Sequence, residues 1–246
     1  MNKKCVLVTG SSIGLGSEII KKFASNNHNV IITYLSHKNE ALKLESELKQ
    51  KYNIETLCEK LDISNEKDII NLKNKVIDKF KTIDVLINNA SISNDTLFED
   101  KTKESFMKIL ETNLVGTFLM SKHFGDLMCE YKSGNIINIS STNGIDTYYE
   151  YSLDYDASKA GLINLSHNLA NHYAPYLRVN TICPGWINTP MNKNMDNSFK
   201  KNEENKILLK RFGEPSEIAE LVYFISSDSA SYINDSVIRI DGGKKC

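Results

Sequence analysis

The sequence predicts an α/β protein: a single-domain, doubly wound (Rossmann) parallel sheet of about seven strands, with helices on both faces. Short apolar runs of strand length alternate with amphipathic segments of helix length along the whole chain, the pattern of repeated β-α-β units. The runs are apolar almost throughout rather than alternating, as strands covered on both faces must be. A glycine cluster, Gly10, Gly14 and Gly16, falls directly between the first run and the first helical segment, and in such sheets ligands bind at the carboxyl ends of the strands.

The first strand is read at Cys5–Thr9, where Cys5-Val6-Leu7-Val8 is too short for a secretory h-region. Helical spacing follows over Gly16–Ser25. Strand Asn29–Tyr34 leads to helix Glu40–Tyr52. Strand Thr56–Leu61 leads to helix Glu66–Lys81, with Asn65 as N-cap and acids in the first turn. Strand Val85–Asn88 precedes a long helical segment, Lys103–Cys129, and strand Asn135–Ile139 precedes Tyr155–Tyr173. Strand Arg178–Cys183 is followed by a polar stretch, Asn192–Lys206, and by helix Pro215–Ser227. Strand Ser236–Ile240 comes last. No repeat, linker or low-complexity block interrupts this order, so residues 1–246 are read as one domain.

Lys and Arg total 30 against 31 Asp and Glu, a formal charge of −1, which gives no support to nucleic acid or a membrane surface as partner. With only Arg178, Arg211 and Arg239 as arginines, a phosphate site must rest mostly on lysine, hydroxyls and backbone N–H groups. The 5 cysteines (Cys5, Cys58, Cys129, Cys183, Cys246) are scattered and odd in number, with no CxxC. That points to a reducing compartment and away from disulfides or zinc. No run approaches the ~20 apolar residues of a membrane span. A soluble cytoplasmic protein is expected, and the histidines offer no metal constellation, His167 and His172 lacking partnering acids.

Thr9-Gly10-Ser11-Ser12-Ile13-Gly14-Leu15-Gly16 has the form of a phosphate-cradling turn. Its glycines permit a tight bend and close approach of backbone to a pyrophosphate at the positive end of the first helix. At the end of the second strand stands Tyr34-Leu35-Ser36-His37-Lys38-Asn39, and the first acid is Glu40. A carboxylate at that tip would bind the 2′-hydroxyl of NAD and repel the phosphate of NADP. Ser36 and Lys38 therefore favour NADP(H) over NAD(H), although Ile13 stands where NADP enzymes often carry a basic residue. Asp62, after the third strand, is placed either to accept from an adenine amino group or to cap the next helix.

Tyr155 and Lys159 lie at i and i+4, on one face of a helix. A nearby cation favours the phenolate over a phenol of pKa near ~10. A downward shift of about three units, ~4 kcal/mol, would make the phenol a general acid/base. Alone, such a pair is an ordinary exposed contact. Its surroundings change that reading.

From Thr9 to Asp241-Gly242-Gly243 the chain resembles the short-chain dehydrogenase/reductase family. The matching pieces run in family order: Thr9-Gly10…Gly14-Leu15-Gly16, Asp62, Asn88-Asn89-Ala90, Asn113-Leu114, Ser140-Ser141, Tyr155…Lys159 and Pro184-Gly185-Trp186-Ile187-Asn188-Thr189. The resemblance implies four catalytic residues, Asn113, Ser141, Tyr155 and Lys159. Tyr155 would give its proton to a carbonyl oxygen or take it from an alcohol. Ser141 would share the developing charge, and is preferred to Ser140 because it stands three residues before Gly144, as the family pattern has it. Lys159 would lower the phenol's pKa and hold the nicotinamide ribose. Asn113 would fix a water in a proton relay through Lys159. The implied cofactor set is Gly10, Ser12, Ile13, Gly14, Gly16, Ser36, Lys38, Asp62, Ile63, Asn89, Ala90, Tyr155, Lys159, Pro184, Gly185, Ile187 and Thr189, with Ile187 and Thr189 holding the nicotinamide amide.

Three departures stand out. Ser91 replaces the glycine usual after Asn-Asn-Ala, and Asn234-Asp235 replaces the common Thr-Gly before the last strand. The Ser141–Tyr155 interval is also one residue longer than the family pattern has it, so the loop Ile145–Asp154, with Tyr148, Tyr149 and Tyr151, is a candidate aromatic wall or packing surface. Trp186 shapes the pocket or merely packs. Asn192–Lys206 resembles the family's mobile substrate lid, or is a solvated loop. The resemblance implies an NADPH-dependent carbonyl reductase, with 3-oxoacyl thioesters as the foremost substrate class and an acyl carrier protein as candidate partner. Lys132 matches one basic site of carrier-protein recognition, whereas Tyr176 stands at the other. The alternatives are a dehydrogenase of a sugar, polyol, steroid or other small alcohol, and a non-catalytic NADP-sensing regulator. A homotetramer built on the Asn113 and Tyr155 helices is the implied assembly.

Overall fold

The computed structural model describes residues 3–192 and 195–243, so Cys246 and the lid positions Lys193 and Asn194 lie outside the described residues. Alternate residues of the first strand, β1 (Cys5–Val8), feed opposite cores: Cys5 and Leu7 one, Val6 and Val8 the other. This is the period-two pleat. All four residues are buried, which is why the run reads as continuously apolar.

The other strands are β2 (Asn29–Tyr34), β3 (Thr56–Lys60), β4 (Val85–Asn88), β5 (Gly134–Ile139), β6 (Leu177–Pro184) and β7 (Val237–Ile240). Every neighbouring pair is parallel, in the order β3-β2-β1-β4-β5-β6-β7. The predicted doubly wound sheet is therefore confirmed, with its strand order reversing between β1 and β4. That switch point opens a crevice at the carboxyl ends of the two strands.

Helices α1 (Gly14–Ser25), α2 (Lys38–Lys51) and α8 (Pro215–Ser226) cover one face; Ile19, Phe23, Leu44 and Val222 lie in its core. Helices α3 (Glu66–Phe80), α5 (Thr117–Glu130) and α6 (Leu153–Tyr173) cover the other, around Ile69, Val76, Phe124 and Leu169. Asn65 caps α3 as expected, its side chain accepting from the N–H of Lys67 at 3.0 Å.

Two segments differ from expectation. The helical stretch over 103–129 is interrupted: α4 (Lys103–Leu110) passes into a π-helical turn, Glu111–Gly116, before α5 begins. Such a turn carries one extra residue, too small a change to disturb apolar spacing. A Cβ at Gly116 would lie 2.8 Å from the Ile63 carbonyl oxygen, so only glycine lets this turn meet the loop after β3. The polar stretch over 192–206 is not a plain loop but contains α7 (Asn197–Lys206). Asp196 caps it, accepting from the N–H groups of Ser198 (2.8 Å) and Phe199 (3.1 Å). Before β7, Asp235 adopts φ +56°, a conformation that suits the glycine common there better than any side chain.

Candidate active site

At the switch point, Gly10 and Gly14 have φ of +63° and +60°, where a Cβ is strained. A Cβ at Gly16 would sit 2.5 Å from the Gly10 carbonyl oxygen and 2.7 Å from Asn89 Nδ2. These glycines fold the chain back onto the start of α1, whose N-cap residue, Ile13, makes no side-chain capping bond. The first-turn N–H groups of α1 are thus available to an anion. Thr33 Oγ1 accepts from the N–H of Gly10 at 3.1 Å, tying the turn to β2. Ser36 and Lys38 are exposed at the tip of that strand, and His37 lies 3.7 Å from Glu40 there.

Asn89 braces the central strands. Its Nδ2 donates to the carbonyls of Thr9 (3.0 Å) and Gly10 (3.2 Å). The Thr9 hydroxyl accepts from the N–H groups of both Asn89 (3.0 Å) and Ala90 (2.9 Å), an unforeseen stitch between β1 and β4. Asp62 does not cap α3. Its Oδ1 takes the N–H (2.9 Å) and hydroxyl (2.6 Å) of Ser64 and shapes the turn beside buried Ile63. Pro184 ends β6, and the loop beyond it returns over Gly14, where a Cβ would be 3.5 Å from Pro190 and 4.0 Å from Thr189. The Ile187 carbonyl accepts from the Thr189 N–H (2.9 Å) and Asn192 Nδ2 (2.8 Å), fixing the loop's bend.

At the carboxyl end of β5, the four predicted catalytic side chains gather. Ser141 stands beside the Tyr155 phenol, where it works to lower the phenol's pKa, and its Oγ accepts from the Asn143 N–H at 3.2 Å. Lys159, one turn along α6, is buried, with Nζ 5.3 Å from the Tyr155 ring centroid and donating to the Ile139 carbonyl at 2.9 Å. Asn113 is buried in the π-helical turn. Its Oδ1 accepts from the Ile92 N–H (2.9 Å), and its Nδ2 donates to the Ile92 carbonyl (2.9 Å) and the Ser158 hydroxyl (3.1 Å). The Ser158 hydroxyl passes the chain on to the Tyr155 carbonyl at 2.7 Å. Ser140 lies behind the site, its hydroxyl donating to the Lys159 carbonyl at 2.8 Å.

A family model described as "Enoyl-(Acyl carrier protein) reductase" matches residues 10–245. The chain is 36% identical over 241 residues to the 3-oxoacyl-(acyl-carrier-protein) reductase FabG of Aquifex aeolicus, covering 98% of this chain and 96% of the relative. It is 33% identical to the FabG of Thermotoga maritima over 243 residues, covering 98% and 97%. The crystal structure of gox2181 superposes with a TM-score of 0.90 at 26% identity, over 98% of this chain and 95% of that one. The chain belongs to the short-chain dehydrogenase/reductase family. It is an oxidoreductase whose cofactor is of the nicotinamide dinucleotide class.

The electrostatics of this short-chain dehydrogenase/reductase differ from expectation at one point. Burial pushes the Tyr155 phenol up to about 12, and the Ser141 hydroxyl beside it only partly opposes this. Lys159 points its ammonium at the Ile139 carbonyl rather than at the phenol oxygen, and burial lowers its own pKa to about 8. The lysine is not among the groups that lower the phenol, so the expected lowering is absent.

Several positioning residues carried no local signal. Asp156 Oδ1 accepts from Asn143 Nδ2 (2.7 Å) and the Ser152 hydroxyl (2.8 Å), holding the loop before α6 against the turn after Ser141. Within that loop Tyr149 and Tyr151 meet edge to face at 5.2 Å, while Tyr148 is exposed. Lys132 and Tyr176 do meet, cation over ring at 5.8 Å. They precede β5 and β6, however, and so stand at the opposite end of the sheet from Tyr155. Among the described residues no group of three or more His, Cys, Asp or Glu side chains could hold a metal ion, and no helix is long and apolar enough to cross a membrane.

Proposed function

We propose that this chain is an NADPH-dependent carbonyl reductase acting on 3-oxoacyl thioesters, with Tyr155 as proton donor. The observation that carries the reading is the Ser141 hydroxyl standing close enough to the Tyr155 phenol to lower its pKa, with the Lys159 ammonium 5.3 Å from the phenol ring centre. Two hydroxyls converging in this way can meet one carbonyl oxygen, and the charge developing there is stabilised by both. Tyr155 releases its proton to that oxygen. The raised pKa keeps the phenol protonated at neutral pH, as a proton donor must be.

When bound, the dinucleotide supplies the hydride. The glycine turn, with Gly10, Ser12, Ile13, Gly14 and Gly16, would hold its pyrophosphate; a side chain at Gly16 would fill that cradle. Ser36 and Lys38 would take the 2′-phosphate, Asp62 and Ile63 the adenine. Asn89, Ala90, Pro184, Gly185, Ile187 and Thr189 would line the nicotinamide side, with Tyr155 and Lys159 on the ribose. Because the Asn113 side chain is engaged by Ile92 and Ser158, only its carbonyl is left for a relay water, beside the Thr117 hydroxyl that donates to it at 2.9 Å.

The thioester reading draws on the relatives named above, each called a 3-oxoacyl-(acyl-carrier-protein) reductase. An acyl carrier protein is the partner it implies. The free thiols of Cys5, Cys58, Cys129 and Cys183 fit a reducing, cytoplasmic setting. Exposed Val115, in the π-helical turn, and Phe118, at the start of α5, favour assembly through that helix and α6 into a tetramer.

The test is NADPH consumption with acetoacetyl, crotonyl, sugar and steroid substrates. Acetoacetyl thioester should be turned over fastest, and Tyr155→Phe should lower kcat by about 10²- to 10⁴-fold. Turnover of the crotonyl thioester alone would move the reaction to a carbon–carbon double bond, as the family model's description has it.

A further inference from the structure

Helix α7 is polar at most positions, yet Glu203 on it is only 5% exposed. A carboxylate withdrawn from water is costly unless it is partnered. Glu203 accepts from Trp186 Nε1 at 3.0 Å and from Lys206 Nζ at 2.6 Å. Lys206 is one turn away on the same helix, so its bond says nothing of docking. Trp186 belongs to the loop after β6, between Gly185 and Ile187, and stacks on buried Phe212 with centroids 5.5 Å apart and planes 10° from parallel.

Neighbouring residues of α7 grip the same loop. Phe199 sets its edge against Trp186 at 6.1 Å and reaches Tyr149 at 6.2 Å. Lys200 donates to Asn188 Oδ1 at 3.1 Å and lies 5.2 Å over the Phe212 ring. The loop from Gly185 to Asn188 is thus held from the helix side by three residues within one turn and a half of α7. Glu203 joins a buried carboxylate to the indole N–H of the loop, and charge-assisted bonds of this kind are the strong ones.

We propose that Glu203 is a positioning residue: through Trp186 it fixes the Gly185–Thr189 loop and makes the seating of α7 and dinucleotide binding a single coupled equilibrium. The inference rests on the dinucleotide reading above. Ile187 follows Trp186 directly, and the loop backbone is also pinned by Gly213, which donates to the Trp186 carbonyl and accepts from the Asn188 N–H at 2.9 Å each. Loosening the indole therefore removes one of the loop's anchors. Binding energy would then be spent on re-forming the loop before the nicotinamide is held.

The experiment titrates the apo protein with NADPH, following nicotinamide fluorescence and the emission of Trp186, the chain's 1 tryptophan. Glu203→Ala should raise the Kd for NADPH by about tenfold or more, the worth of a lost hydrogen bond to a charged group, and shift the Trp186 emission to the red. Glu203→Gln keeps an acceptor for the indole and should bind close to wild type. Trp186→Phe keeps a ring on Phe212 but loses the N–H; it should show the same loss of about tenfold or more in NADPH affinity and supplies the test if Glu203→Ala does not fold. Wild-type affinity in Glu203→Ala or in Trp186→Phe overturns the proposal, as does a Glu203→Gln protein as weak as Glu203→Ala. Failure of the wild type to bind NADPH or NADH would instead remove the dinucleotide reading itself.

Discussion

Lys101 and Asp154 form an ion pair, Nζ to Oδ1 2.8 Å, in which the two side chains are 6% and 0% exposed. Asp154 Oδ1 also accepts the N–H of Tyr155 at 2.9 Å, and Lys101 donates to the Asn94 carbonyl. The pair therefore joins the loop after β4 to the first turn of α6, directly behind the proposed proton donor. Removing one member of a buried pair strands the other charge, which costs ~3–5 kcal/mol. Lys101→Met should lower the unfolding free energy by about that much, read from urea midpoints at fixed protein concentration, and adding Asp154→Asn should recover most of the loss. A single-variant cost no larger than that of a surface pair would show that the charge is not stranded.

Gly144 packs on the backbone of the catalytic helix. A Cβ there would lie 2.7 Å from both the carbonyl carbon and the oxygen of Lys159, and 2.9 Å from the N of Ala160. Backbone cannot swing aside as a side-chain tip can, so Gly144→Ala must push the turn after Ser141 away from α6. We expect a loss of about 1–3 kcal/mol in stability and, because Ser141 moves off Tyr155, a fall in kcat/KM of about 10²-fold for a shift near 1 Å. Steady-state kinetics with unchanged activity would mean that the turn and helix adjust together.

Lys159 sets the pH behaviour. Its folded-state pKa is lowered to about 8 from 10.5, because burial disfavours the ammonium. If that ammonium is needed, kcat/KM for NADPH, which reports the free enzyme, should fall as pH rises through about 8. The stability effect has the opposite sense. Between pH 8 and 10.5 the unfolded chain binds the proton that the folded chain has released, so this group adds stability as pH rises through that window. Unfolding curves of wild type and Lys159→Met, compared at several pH values, should diverge in the wild type's favour on going up. A constant difference between them would place the lysine in a water-like environment.

Cofactor choice is expected to hang on the tip of β2. Placing a carboxylate there, as in Ser36→Asp, should raise the KM for NADPH by roughly tenfold and lower that for NADH, by repulsion of the 2′-phosphate and capture of the 2′-hydroxyl. Equal constants for the two dinucleotides in the wild type would end the preference for NADP(H).

Much of this was legible because it is local or fixed by spacing. The strand at Cys5–Val8, the glycine turn after it, and the i, i+4 pair of Tyr155 and Lys159 each announce themselves within a few residues. Helix α7 was not legible, since ten mostly polar residues with buried Glu203 give no apolar period. The π-helical turn that buries Asn113 was equally silent; it packs through Gly116 against Ile63, 53 residues away in sequence, a contact no local pattern reports.

The sequence by itself determined the order of elements and the doubly wound class, which follow from periodicity, and its resemblance to a family's motifs named the four residues proposed for catalysis. Tertiary structure alone decided what surrounds them. Lys101 meets Asp154, Trp186 meets Glu203, and the Lys159 ammonium turns to the Ile139 carbonyl only when distant segments close on one another. Burial, which no local pattern reports, then moves the phenol of Tyr155 up and the lysine down. Desolvation and pairing are properties of the packed interior, and so the tuning of the site belongs to the fold rather than to the motif.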